Sequence, residues 1–206
     1  MEAHELIDVG FPVRGARLPD DHGYLLFSAL CEALPRLSHE PGWALHLVDG
    51  VREGSRGIRL GPKSMVRLRM PARELGEALS LTGRDIRVGT DRVHLGMAKI
   101  KPLAASARLR SAVVTMPGTT LAGFMAALRR ELSTLPLGQD VASIDIEVGP
   151  QRLLRARVRT VIGYEVELLG LRPHASLCIQ AHGLGARRHM GAGVFLPVSE
   201  QRPPTT

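Results

Sequence analysis

At 206 residues, with 44% hydrophobic and 23% charged side chains, the chain has the composition of a globular protein of one large domain or two of about 100 residues each. No apolar run reaches membrane-spanning length and the acidic start MEAHELIDV is unlike a secretory leader. Cys31 and Cys178 both fall in apolar helical patterns, so a reducing, cytoplasmic setting is expected. The net charge of +7 is uneven: residues 51–110 carry 14 basic and 5 acidic side chains and residues 151–206 carry 8 and 3, against 3 and 8 in residues 1–50, which is the footprint of a polyanion-binding protein.

In chain order, His4 to Pro12 predicts a strand. A helix opens at Pro19-Asp20-Asp21, with Leu26, Leu30, Ala33 and Leu34 at helical spacing. Trp43 to Val48 and Met65 to Met70 alternate as strands, the second expected to expose Arg67 and Arg69. Pro71 opens a helix over Ala72 to Leu81, and Asp85 to Val88 with Arg92 to Met97 predict a hairpin. That order, β-α-β-β-α-β, is the ferredoxin-like pattern. Residues 1–100 are read as one domain and Lys101 to Ala107 as a linker, and the pattern then repeats over 108–200. In the repeat, Leu109 to Met116 is a strand and Thr119 to Leu132 an amphipathic helix. Val141 to Val148, Leu153 to Val161 and Gly163 to Leu169 are strands, His174 to Ala181 is a short helix, and a last strand follows Gly193. The expected class is therefore α+β, two tandem ferredoxin-like halves.

Between the last helix and strand runs HGLGARRHMGAGVFLP, His182 to Pro197. Gly183, Gly185, Gly191 and Gly193 flank a basic tip of Arg187, Arg188 and His189. Glycine lets the main chain approach a ligand closely, and exposed N–H groups with arginines suit a phosphate. Dinucleotide-binding loops and P-loops follow a strand and open a helix. Here the order is reversed and the P-loop lysine is missing, so a nucleotide cofactor is not expected; a plain surface turn is the alternative.

The stretch RLLRARVRTV puts Arg155, Arg157 and Arg159 on one face of a strand by alternation, a positive ladder suited to an RNA backbone or a solvated sheet face. Arg67 and Arg69 follow the same logic. With one Trp, two Tyr and four Phe, base stacking on aromatic platforms is not the expected mode; recognition falls to backbone and folded shape.

The two-half pattern, the arginine-bearing strands and the terminal G-x-G-basic-G-x-G loop resemble the repeat-associated mysterious proteins linked to CRISPR systems. GFPVRGARLPDDHGYLLFSAL at 10–30 with GLGARRHMGAGVFLPV at 183–198 is similar to a short subfamily of the sixth Cas family, endoribonucleases that cut CRISPR precursor RNA within its repeats. The resemblance implies metal-independent cleavage: a ribose 2′-OH attacks the adjacent phosphate, leaving a 2′,3′-cyclic phosphate and a 5′-OH. The implied partner is a stem-loop repeat RNA, with other Cas effector subunits as further candidates and no cofactor or membrane. A non-catalytic guide-RNA-binding subunit of an effector complex is the alternative.

His22, in the first turn of the first helix, matches the family's catalytic histidine and is the candidate general base. The helix dipole favours its neutral form, while Asp20 and Asp21 oppose this. Tyr24 either assists at the phosphate or packs; His46, His182 and His189 are the other histidines in play. No His, Cys, Asp or Glu cluster has metal-ligand spacing.

Overall fold

A computed structural model describes residues 5–38, 42–54, 57–117, 120–156 and 159–198. Chain order begins with β1 (Leu6–Arg14), β2 (Arg17–Leu18), α1 (Gly23–Ala33) and β3 (Ala44–His46). It continues with β4 (Val51–Arg52), β5 (Ile58–Arg59), β6 (Met65–Pro71), α2 (Leu75–Leu79), β7 (Asp85–Val88), β8 (Asp91–Leu95) and β9 (Lys99–Pro102). The larger sheet runs β3-β6-β1-β8-β7, with β9 also paired to β1; β2, β5 and β4 make a small separate sheet. One face of the larger sheet carries Val9, Phe11, Val66 and Leu68, and Leu26 and Leu30 of α1 join the same buried cluster. This is what period-two strands and a 3.6-period helix require of their apolar faces.

The second group is β10 (Arg108–Val114), α3 (Leu121–Thr134), β11 (Asp145–Ala156), β12 (Arg159–Leu169), α4 (Pro173–His182) and β13 (Leu196–Pro197), with sheet order β11-β12-β10-β13. Its core joins Leu109 and Leu168 to Phe124, Leu128 and Leu132 of α3 and Ile179 of α4. Thr120 caps α3 by accepting from the Gly123 N–H at 3.1 Å. The helices cover one face of this sheet, and the other carries Arg108, Arg110, Glu165 and Glu167. A third, small cluster of Val113, Leu154, Met190 and Ala192, with Tyr24 and Leu47 against it, joins the two groups.

The chain is thus α+β with several antiparallel sheets and four α-helices among the described residues, as the patterning anticipates. Four local expectations are corrected. Lys101 and Pro102 belong to β9, paired with Asp8 and Ile7 of β1, so no linker begins at Lys101. Val141–Ser143 is a 3-10 turn, not a strand. The helix expected from Ala72 starts as a 3-10 turn over Ala72–Glu74, and α2 proper is five residues. Leu153 to Val161 is not one strand: β11 ends at Ala156 and β12 starts at Arg159, with Ala156 paired to Arg159 and Arg155 to Thr160. Among the described residues no helix is long and apolar enough to cross a membrane. Cys178 is buried and Cys31 half-buried, both as free thiols.

Candidate functional site

Between the start of α1, the small sheet and the helix-free face of β10–β12 lies an open cleft of about 1130 Å³. Asp20, Asp21, Tyr24, Leu47 and Asp49 line it from one side, and Arg110, Gln151, Arg152, Arg155 and Glu165 from the other, with Arg17 and Arg52 at the small sheet. Its arginines are set among carboxylates: Arg52 lies 2.8 Å from Asp20 and Arg17 lies 3.7 Å from Glu53. The backbone N–H of Arg155 donates to Asp21, tying the β11–β12 arm to the start of α1. Burial pushes the Asp21 carboxyl above its usual range, against that hydrogen bond.

His22 sits one layer behind this wall, at the N-cap of α1 and only 1% exposed. Its Nδ1–H donates to the Pro19 carbonyl at 3.0 Å, and Nε2 accepts from the Val48 N–H at 2.9 Å. The first bond fixes the tautomer; the second covers the lone pair that a base uses. Burial holds the imidazole below its ordinary range, although the Pro19 carbonyl and Asp20 favour the charged form. Gly23 explains the close packing: a Cβ there would strike the Met190 carbonyl. Tyr24, half-buried, lies both in the cleft wall and against the small apolar cluster.

The glycine loop is built differently from the expected phosphate cradle. All four glycines have positive φ, from 68° to 89°. A Cβ on Gly193 would run into the Leu184 carbonyl, one on Gly185 into Thr115 O, and one on Gly183 would lie 2.5 Å from Gly193 O. Their N–H groups bond within the protein: Gly183 to Ile179 O, Gly191 to Arg188 O, Gly193 to Val113 O and Gly185 to Glu131 Oε1. These glycines let main chain approach main chain closely.

At the basic tip, Arg187 adopts the left-handed conformation with φ 70°, and its carbonyl accepts from Met190 and Ala192. Arg188 folds inward, donating from Nη2 to Ala181 O at 2.9 Å, while its buried Nε has no hydrogen-bond partner among the described residues; burial beside Arg69 pulls its pKa down to about 10. His189 keeps one side open to solvent while its ring is tilted on Phe27 at 4.8 Å between centroids, and this partial covering, with Arg187 nearby, lowers its pKa.

Arg69 is corrected outright. It is fully buried, not exposed. Nε and Nη2 donate to both oxygens of Asp8 at 2.8 and 2.9 Å, and Nη1 donates to Gln180 O and Phe195 O. It joins the first sheet to the end of α4 and the far side of the glycine loop. Arg67, two residues away, is half-buried. His46 shares this face, buried 3.4 Å from Asp8 Oδ1 without hydrogen-bond geometry, and burial lowers it to about 4. For Asp8 burial acts upward, but His46 and Arg69 outweigh it and hold the carboxyl well below its usual range.

The arginine ladder does not form as drawn. Arg155 is exposed at the cleft, the chain reverses before Arg159, and Arg157 lies outside the described residues. The cleft brings together Tyr24, Asp21 and Arg155 with His22 directly behind; it leaves Arg69 and the four glycine N–H groups elsewhere. His182 is exposed at the end of α4, its Nδ1–H donating to Cys178 O at 2.9 Å. Arg17, Arg52, Arg110 and Arg152 are cleft residues that sequence reading passed over. Arg110 had the same signal as Arg69, an arginine alternating with apolar residues on a strand. No group of three or more His, Cys, Asp and Glu that could hold a metal occurs among the described residues.

A family model described as Cas6 Crispr matches residues 7–200. A CRISPR-associated endonuclease Cas6 of Myxococcus xanthus (strain DK1622) is 35% identical over 192 residues, covering 93% of this chain and 81% of that protein. Among solved structures, a Cas6-related protein from Pyrococcus furiosus superposes with a TM-score of 0.65 at 15% identity, covering 96% of this chain and 99% of that one. A RAMP protein described as binding different RNA substrates gives 0.64 at 16% identity, covering 94% and 100%. Those two likenesses carry the fold, while the model match and the 35% identity carry the family: the chain belongs to the Cas6 family of CRISPR-associated endonucleases.

Proposed function

We propose that the chain is an endoribonuclease that cuts CRISPR precursor RNA within its repeats, without a metal, leaving a 2′,3′-cyclic phosphate and a 5′-OH. The observation that carries this reading is the buried His22, its tautomer fixed by the Pro19 carbonyl and its neutral form favoured by burial, immediately behind a cleft whose wall holds Tyr24 and several arginines. With Nδ1–H committed to Pro19, Nε2 is the atom that takes the 2′-OH proton once the Val48 N–H gives way. Tyr24 and the cleft arginines face the phosphate, where charge builds in the transition state. Arg155, and Arg157 and Arg159 after it in the chain, hold the RNA backbone. So do Arg67 and, from the loop side, Arg187 and His189.

The scaffold is two ferredoxin-like halves, about 1–100 and 108–200. Support for this comes from the sheet β11-β12-β10-β13, which has the second, third, first and fourth strands of such a unit in order, from β3-β6-β1 followed by the β8–β7 hairpin in the other sheet, and from a separate apolar cluster on each. The experiment is incubation of a labelled repeat RNA in EDTA with analysis of product ends; an intact RNA, tightly bound, is the result that removes the nuclease. That result favours the second reading, a non-catalytic guide-RNA-binding subunit, which the closure of His22 Nε2 by Val48 specifically supports.

A further inference from the structure

We propose that Arg110, Glu165 and Arg152 form a phosphodiester-binding site on the wall of the cleft opposite His22. It rests on the reading that RNA is the ligand, and adds a site made of other residues than the glycine loop and Arg155. Glu165 lies on the central strand β12, with Oε1 at 2.5 Å from Arg110 Nη2 of β10 and Oε2 at 3.3 Å from Arg152 Nη2 of β11. The carboxylate is the buried member, 16% exposed, and the arginines stand outward at 52% and 35%. All three line the cleft.

The backbone is deformed to make this arrangement. Strand register shifts on both sides of β12 at the level of Glu165, between Ser111 and Val114 on β10 and between Val148 and Gln151 on β11. A bulge re-aims a side chain, and two bulges flanking one residue of a central strand aim that residue. Gly149 leaves the room: a Cβ there would lie 3.1 Å from Cβ of Glu165.

A carboxylate beneath two guanidiniums does two things. It neutralises one of two positive charges, leaving a net +1 that matches one phosphodiester. It also holds in place two long side chains that otherwise lose rotamer entropy on ordering. A guanidinium has five N–H donors, so a carboxylate held through Nη2 leaves donors on both for a second anion. Reading of a base amino group by Glu165 is disfavoured, because both of its oxygens already face arginines.

The sign of one mutation separates positioning from charge alone. A pure charge effect makes Glu165→Ala bind RNA more tightly, since an anion leaves the cleft; positioning makes it bind more weakly. The test measures binding of a 2′-fluoro repeat hairpin, which keeps A-form shape and lacks the attacking hydroxyl, across a salt series. Arg110→Ala and Arg152→Ala are expected to weaken binding on the order of tenfold and to lower the salt slope by about one each. Glu165→Ala and Glu165→Gln are expected to weaken it roughly threefold, with the wild-type melting temperature checked for each. Tighter binding by both Glu165 variants, or an unchanged slope in both arginine variants, overturns the site. A wild type that binds the hairpin but leaves ordinary repeat RNA uncut overturns the nuclease and leaves the site; a wild type that binds no RNA overturns both.

Discussion

The Nε2 atom of His22 accepts a hydrogen bond from the backbone N–H of Val48 at 2.9 Å, so the base proposed for RNA cleavage is a closed structural bond in the absence of RNA. Its two roles have separable signatures. His22→Ala strips partners from the Pro19 carbonyl and the Val48 N–H, and an unsatisfied buried group costs about 1–3 kcal/mol. Chemical denaturation is expected to show a loss of that size. A variant as stable as wild type would mean that these bonds carry no weight in the fold.

Cleavage should follow the same imidazole. Nε2 takes a proton only in the neutral form, and burial keeps His22 neutral below its ordinary 6.5. The single-turnover rate is therefore expected to stay level from neutrality down past pH 6.5 and to fall only in more acidic buffer. A rate that already drops between pH 7.5 and 6.5 assigns the base to a more exposed group.

Arg69 makes the strongest stability prediction. Arg69→Met leaves the buried Asp8 carboxylate and the Gln180 and Phe195 carbonyls without their donor. Breaking a buried pair in this way costs about 3–5 kcal/mol. Urea unfolding should shift by that much; a protein of unchanged stability with weakened RNA binding would restore Arg69 to the surface.

His46 predicts an acid limit. It titrates at its ordinary 6.5 when unfolded and near about 4 when folded. The folded state thus binds fewer protons, so this contribution to stability is complete above pH 6.5 and is lost as pH falls toward 4. Melting temperatures measured over that window should decline, and His46→Gln should flatten the decline. An identical pH profile in the variant would assign the acid loss to other groups.

Gly193→Ala tests whether the loop glycines serve packing. The added Cβ meets the Leu184 carbonyl at a φ of +69°, a region costing L residues about 1–3 kcal/mol before any collision. A clear fall in melting temperature without RNA present is expected; an unchanged melting point with impaired RNA binding would return the loop to a ligand cradle.

The main strands and helices were legible in the sequence because each large sheet buries an amphipathic helix against alternating strands, and those periods survive without a partner in view. Which outer face of a strand stays wet was not. Arg67 and Arg69 in MVRLRMP and Arg108 and Arg110 in RLRSAVV show the same alternation, yet α4 and the loop after it cover Arg69, whereas no helix covers Arg110. The arginines near 155 misled for a local reason: the run RLLRARVRTV reads as one strand, with no Gly or Pro to announce that the chain reverses before Arg159. The glycine loop stood out in the sequence, but the positive φ its glycines adopt serves tight main-chain packing as readily as anion binding. The choice of His22 as the candidate base came from resemblance; its burial depends on Val48, 26 residues away, and no local pattern encodes that contact.

The most direct test of the central claim is cleavage of an end-labelled repeat RNA in EDTA by wild type and His22→Ala, with both proteins shown to bind it. The prediction is a single cut by wild type that leaves a 2′,3′-cyclic phosphate, slowed on the order of 10²–10⁴-fold in the variant. An RNA that wild type binds and leaves whole, or a variant that cuts at the wild-type rate, contradicts it.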